Sequence, residues 1–274
     1  MRSVPRQIKK SPLIRFSAAR LRRLRKVRGV FFQVLVLCGI KVAVHFCGLE
    51  RISVNQLFSA MVASTIFLLG FLLNGVLTDF KESEKIPAEL ATSLQTLKLE
   101  IQAIQVYHPD AKVANALAAV TGLGQSLLDW LNERISTEQM MARHTQAHAE
   151  VVLAAVQIKG DASTLRGRLM QDLEVVLAKV NRVQAIRDTS FVPLVYWMAD
   201  IAAVLLFAGL VMARAENLPE SVFFLAVISF IVILLLRLID DIDNPFGLSD
   251  INSAEDVSIE LLEKAVDRLR TGAT

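Results

Sequence analysis

Apolar residues gather in four long runs, and the rest of the chain is patterned differently. The first run lies between Gly29 and Gly48 and is broken by Lys41. The second is the cleanest, with 27 uncharged residues between Arg51 and Asp79. The third runs from about Ser190 to Ala213 and is broken by Asp200, and the fourth runs from Ser221 to Leu236 and is closed by Arg237. A membrane-spanning helix needs about 20 mostly apolar residues. The second run meets that outright, the first and third if one charge each is tolerated, and the fourth if flanking residues 219–239 are included. Short links at 49–56 and 214–220 make the runs two hairpins.

Between the hairpins the apolar residues recur at helical spacing. Leu94, Leu97, Ile101 and Ile104 mark one stripe. Leu117, Val120, Leu127 and Leu131 mark a second, and Leu165, Leu169, Leu173, Val176, Val180 and Val183 a third. Breaks are expected at Pro87, at His108-Pro109-Asp110 and at Gly160-Asp161. No strand alternation or repeat is present. Ser253 with Asp256 predicts a capping box opening a last amphipathic helix over 253–270. The expected organisation is a basic segment 1–28, a transmembrane hairpin 29–78, a helical domain 79–190, a second hairpin 191–239 and a C-terminal segment 240–274.

Composition agrees with this segregation. The 274 residues are 53% hydrophobic and 21% charged, and mean hydropathy is +0.46. That apolar content excludes a disordered chain, and two cysteines exclude a disulfide scaffold. Cys38 and Cys47 fall on opposite faces of one helix at ~100° per residue and cannot pair with each other. A net charge of +3 gives no reason to expect nucleic-acid binding. Residues 1–28 hold eleven Lys or Arg and no acidic residue. The positive-inside rule then places both termini and the middle domain in the cytoplasm, with the protein in the cell's inner membrane. The alternative is an organelle transit peptide and an organelle membrane.

Enzymatic chemistry finds no support. There is no phosphate-binding glycine loop, no HExxH and no CxxC. His144 and His148 stand at i, i+4 and could share a metal ion, but a third ligand is missing and a solvated helix face explains them as well. No resident metal or cofactor is expected.

Other residues carry more information. Ionisable groups inside a membrane are costly and are paired or functional. Lys41 and Asp200 lie at depths of ~18 and ~15 Å from the cytoplasmic ends of their runs, at ~1.5 Å per residue. They are expected to pair across helices; the alternative is that each lines a wet cavity or snorkels separately. In the second run, Ala63, Phe67 and Phe71 share one side, and Asn74 and Thr78 continue it. A ring of such helices would make an apolar constriction opening into a polar vestibule; ordinary helix packing uses the same spacing. The fourth run ends in Asp240, Asp241 and Asp243 followed by Asn244-Pro245-Phe246-Gly247. Pro245 and Gly247 force a turn there. The carboxylates would attract cations or cap helix ends.

Three features together resemble the bestrophin superfamily and its bacterial members. These are the order of two spans, helical body and two spans; the second run from Phe58 to Glu84, with its Phe-Ser start and Gly70-Phe71 pair; and DDIDNPFG at 240–247. Phe191 to Tyr196 at the start of the third run also resemble the family. The likeness covers about residues 30–270. It implies an all-α membrane protein, pentameric around a central pore, that conducts small ions, with chloride or other anions favoured and cations open. It implies a hydrophobic neck at Ala63, Phe67 and Phe71, a polar vestibule at Asn74 and Thr78, and a cytoplasmic constriction near Leu165. Partners are then other copies of the chain, membrane lipids and small inorganic ions. Departures are the small Ala63 at the outer neck, Leu72 and Leu73 before Asn74, and Leu248-Ser249-Asp250-Ile251 where calcium-binding members carry an acidic run. A non-conducting membrane scaffold or sensor is the alternative. A secondary transporter would show interrupted spans in corresponding positions, and none is seen.

Overall fold

The computed structural model describes residues 12–157, 163–188, 193–214, 217–243, 245–246 and 256–271. The described elements are helices α1 (Pro12–Phe46), α2 (Gln56–Ser83), α3 (Ile86–Tyr107), α4 (Ala114–Leu131), α5 (Thr137–Val156), α6 (Ser163–Asp188), α7 (Pro193–Met212), α8 (Leu218–Asp243) and α9 (Glu260–Thr271). Two short strands, β1 (Ile52–Ser53) and β2 (Ala213–Arg214), accompany them. The chain divides into two compact units. One comprises Met1–Val76, Phe191–Ile242 and Asn252–Ala254, the other Leu77–Ser190, Asp243–Ile251 and Glu255–Thr274.

The first unit holds the four apolar helices. Each is long and apolar enough to cross a membrane. Helix α1 begins well before the first apolar run. Its 35 residues measure about 52 Å at 1.5 Å per residue, more than a hydrocarbon core of about 30 Å. Val30 and Val34 of α1 pack with Ile233 of α8, and the Phe31 and Phe230 rings lie 5.2 Å apart. Arg237 donates to the Gln33 side chain at 3.1 Å. Gly209 lets α7 approach α2 closely: a Cβ there would lie 2.9 Å from Met61 Cε and 3.4 Å from Phe58 Cε2.

The link regions are more ordered than the sequence suggests. β1 and β2 pair in parallel, Ile52 with Ala213 and Ser53 with Arg214. The Arg51 N–H donates to the Met212 carbonyl at 3.1 Å. Two-residue strands carry no alternation that a sequence pattern could reveal.

The second unit is a helical body whose three apolar stripes form one core. Leu94, Leu97, Ile101, Ile104, Leu127, Leu131, Leu169, Leu173, Val176, Val180 and Val183 are fully buried in it. Helix α3 opens with Pro87 in its first turn, where a missing N–H costs nothing. The break at 108–113 falls where expected, and the one expected at Gly160-Asp161 lies outside the described residues. A break at 132–136 was not expected, although its signal is present. Ser136 caps α5, accepting from the Gln139 N–H while the Gln139 side chain accepts from the Ser136 N–H. That is a capping box in Ser-x-x-Gln form. Glu133, with φ 58°, turns the chain between α4 and α5. The closing helix starts at Glu260 rather than at 253, and Ser253 lies outside the described residues. Gly124 leaves room for α9, since a Cβ there would meet Val266 Cγ2 at 3.0 Å and Leu269 Cδ1 at 3.4 Å.

Candidate functional site

Helix α2 has one buried side and one open side. Leu69, Leu72 and Val76 are buried, whereas Phe67 and Phe71 are 77% and 61% exposed. Ala63, Asn74 and Thr78 are exposed as well. The five residues expected to form a neck and vestibule therefore all lie on α2's open side. They span 16 residues of helix, about 22 Å. The order along the helix is apolar first, then amide and hydroxyl, then Asp79.

Lys41 does not pair with Asp200. It is fully buried, and its ammonium lies 2.6 Å from Glu50 Oε1. The same group donates to the Val211 carbonyl at 3.3 Å and to the Ala213 carbonyl. Three donors thus meet three acceptors. The two carbonyls lie at the C-terminal end of α7, where the helix dipole favours a cation. Asp200 is exposed on α7. The expectation failed because it matched depths along straight helices, while the link after α1 folds Glu50 back onto Lys41. His45 Nδ1 lies 3.2 Å from the other Glu50 oxygen. The Lys41 hydrogen bond, then His45, hold the Glu50 carboxyl below the usual carboxylate range against the opposing effect of burial. Glu50 was not singled out in the sequence because it lies in a link rather than a span.

The exit of α8 divides into anchor and surface. Asp240 is exposed, Asp241 and Asp243 are half-buried, and Pro245 and Phe246 are buried; Asn244 and Gly247 lie outside the described residues. Phe246 belongs to the body's core. The Pro245 carbonyl accepts from the Val257 N–H at 3.0 Å. Arg187, at the end of α6, gathers this region. It donates to the carbonyls of Trp130 at 3.4 Å, Leu131 at 2.9 Å and Phe246 at 3.4 Å. Its guanidinium lies 4.9 Å from the Trp130 ring centroid, a cation–π distance. Burial lowers the Arg187 pKa from the ordinary arginine value.

Ion pairs join α6 to α2 and α3. Arg182 makes a two-point contact with Glu82, at 3.0 and 2.6 Å, and Lys179 meets Glu89 at 2.5 Å. Arg168 Nη2 lies 2.7 Å from Glu100 Oε1. Leu165, the expected cytoplasmic constriction, is half-buried against the body's core one turn before Arg168. His144 is buried, with Nε2 3.0 Å from the Leu173 carbonyl. It thus serves α5–α6 packing, while His148 is exposed. Among the described residues no group of three metal-ligating side chains gathers. A groove of about 920 Å³ between α4 and α5 includes Gln125, Asp129 and Arg143. Asp129 is already engaged by Arg134 at 3.1 Å and by Gln125 at 3.0 Å.

No family model matches the chain, and no curated protein matches it in sequence. Solved structures do match. A single-substitution variant of a bacterial bestrophin homolog from Klebsiella pneumoniae aligns with a TM-score of 0.73 at 16% identity, covering 89% of this chain and 99% of its own. A second variant aligns at 0.72 and 15%, with the same coverage. A third aligns at 0.74 and 14%, covering 90% of this chain and 100% of its own. The chain has a bestrophin-like, all-helical fold, and its four apolar helices fit a membrane location.

Proposed function

We propose that the chain is a subunit of an oligomeric ion channel, with α2 lining a central pore. The observation that carries this reading is the open side of α2, where Ala63, Phe67 and Phe71 precede Asn74 and Thr78. Copies arranged head to tail around an axis close into a ring. Such a ring would stack phenylalanines into a narrow apolar neck that gates by dewetting, with a polar vestibule beyond it. Five copies are the number the bestrophin resemblance implies. The protein would sit in the cell's inner membrane among its lipids, with both termini cytoplasmic. A second constriction at Leu165 would follow in the body. The resemblance favours chloride or other small anions as the permeant ion.

Planar-bilayer recording of the purified protein tests this. Ohmic single-channel currents that change in size or rectification with Phe71→Ala are the expected result. Silence across many salts from a stable oligomer would overturn it and favour a non-conducting scaffold. A monomer in mild detergent would remove the basis for a central pore.

A further inference from the structure

One buried carboxylate in the body has too little to satisfy it. Glu100 projects from α3 with 6% of its surface exposed. Oε1 meets Arg168 Nη2 at 2.7 Å, and Oε2 is buried with no hydrogen bond. Arg168 is itself 62% exposed, so one side of the guanidinium faces outward while the other holds Glu100. Asp172, one turn further along α6, is half-buried and close enough for its charge to act on Glu100. The three groups carry a net charge of −1 when both carboxyls are ionised. Leu165 stands one turn before Arg168 on the same helix.

Several other charged groups on neighbouring elements are occupied elsewhere. Lys98 of α3 donates to the Arg268 and Leu269 carbonyls of α9. Arg166 of α6 donates to the Ala155 carbonyl of α5, and His144 of α5 engages the Leu173 carbonyl. Asp129 of α4 is held by Arg134, and Arg270 of α9 donates to Gln125. Loss of water around Glu100 and Asp172 raises both carboxyls above their ordinary range, with Arg168 opposing the rise.

We propose that Glu100, Asp172 and Arg168 form a proton-titrated charge-selecting site beside the Leu165 end of α6, negative when ionised and neutral after one proton binds. This rests on the reading that the Leu165 end of α6 borders the ion path. Above the transition the site favours cations. Below it that preference is lost, and selectivity moves toward anions. Removing one unit charge about 10 Å from an ion in water changes each ion's local concentration about twofold in opposite senses, hence a cation-to-anion ratio by about fourfold.

Two measurements on the full-length oligomer separate this proposal from the channel reading. The first follows the protonated-carboxyl infrared band as pH falls. A component titrating above the ordinary carboxylate range is expected, diminished in Glu100→Gln and moved to higher pH in Arg168→Gln, which removes the opposing cation. A purely structural ion pair would titrate in the same way, so the charge-selecting role is read from the second measurement. The second reads reversal potentials in a salt gradient at one pH above and one pH below that infrared transition. Wild type should shift toward anions on acidification by about fourfold in permeability ratio. Glu100→Gln and Asp172→Asn should already show the shifted value at the higher pH. Absence of the band component, or a reversal potential unchanged by pH and by both variants, overturns the proposal alone. A titrating band with no current in any salt overturns the channel reading and the proposal with it.

Discussion

Replacing Lys41 by methionine should be among the most damaging single changes in the four apolar helices. The side chain is fully buried. Its ammonium has three acceptors: Glu50 Oε1 at 2.6 Å, the Val211 carbonyl at 3.3 Å and the Ala213 carbonyl. Removing one member of a buried charge pair costs about 3–5 kcal/mol, because the partner stays desolvated and uncompensated. The two carbonyls lose a charged donor as well, which places Lys41→Met in the upper part of that range. Glu50→Gln keeps an acceptor beside the ammonium and removes only the charge, so about 2–3 kcal/mol is expected. In the double variant neither charge is left buried alone. Its cost should fall short of the sum by about 2–3 kcal/mol, the coupling typical of residues in contact. Equilibrium unfolding in mixed detergent micelles would measure this at fixed protein concentration, since assembly contributes to stability. Trp197 on α7 is placed to report by fluorescence. A Lys41→Met variant within about 1 kcal/mol of wild type would refute the reasoning. So would coupling of Lys41→Met to Asp200→Asn as strong as to Glu50→Gln.

Further expectations follow from the same geometry. Glu50 has a lowered carboxyl, so its contribution is complete above the unfolded-state pKa of about 4.3 and is lost as pH falls through the lower folded value; acid titration of stability in wild type and Glu50→Gln would show that loss only in wild type. Glu100 has a raised carboxyl, so the sign reverses: the folded state holds more protons, stability declines as pH rises through this range, and Glu100→Gln should flatten that decline. Arg187→Lys should cost about 2–3 kcal/mol by urea or thermal unfolding, because one ammonium cannot reproduce a planar group that reaches three carbonyls and lies over Trp130. A loss under about 0.5 kcal/mol would show that Arg187 is dispensable as a clasp. Gly122→Ala adds a Cβ with nothing within 4 Å and should stabilise α4 by about 0.5–1 kcal/mol. In Gly124→Ala the Cβ would press on Val266 Cγ2 at 3.0 Å, so crowding should cancel that gain in the same thermal assay.

Hydropathy and helical period already carried the four apolar helices, the three stripes of the body and the break at His108-Pro109-Asp110. These are properties of neighbouring residues, and Leu94, Leu97, Ile101 and Ile104 stay on one side of α3 whatever surrounds it. The Ser136–Gln139 capping box was equally local and was legible, though overlooked. The pairing of buried charges was not. Lys41 was visible as an anomaly in a span, but its partner depended on the fold of a link nine residues away and on where α7 ends. Glu100 sat at the edge of an apolar stripe, and its near-complete burial beside Arg168 arose only when α3 and α6 packed. A charge buried in low dielectric takes its strength from desolvation and from groups distant in the chain. The sequence by itself determined which residues must leave water, and the tertiary structure decided which charges left with them and what they met there.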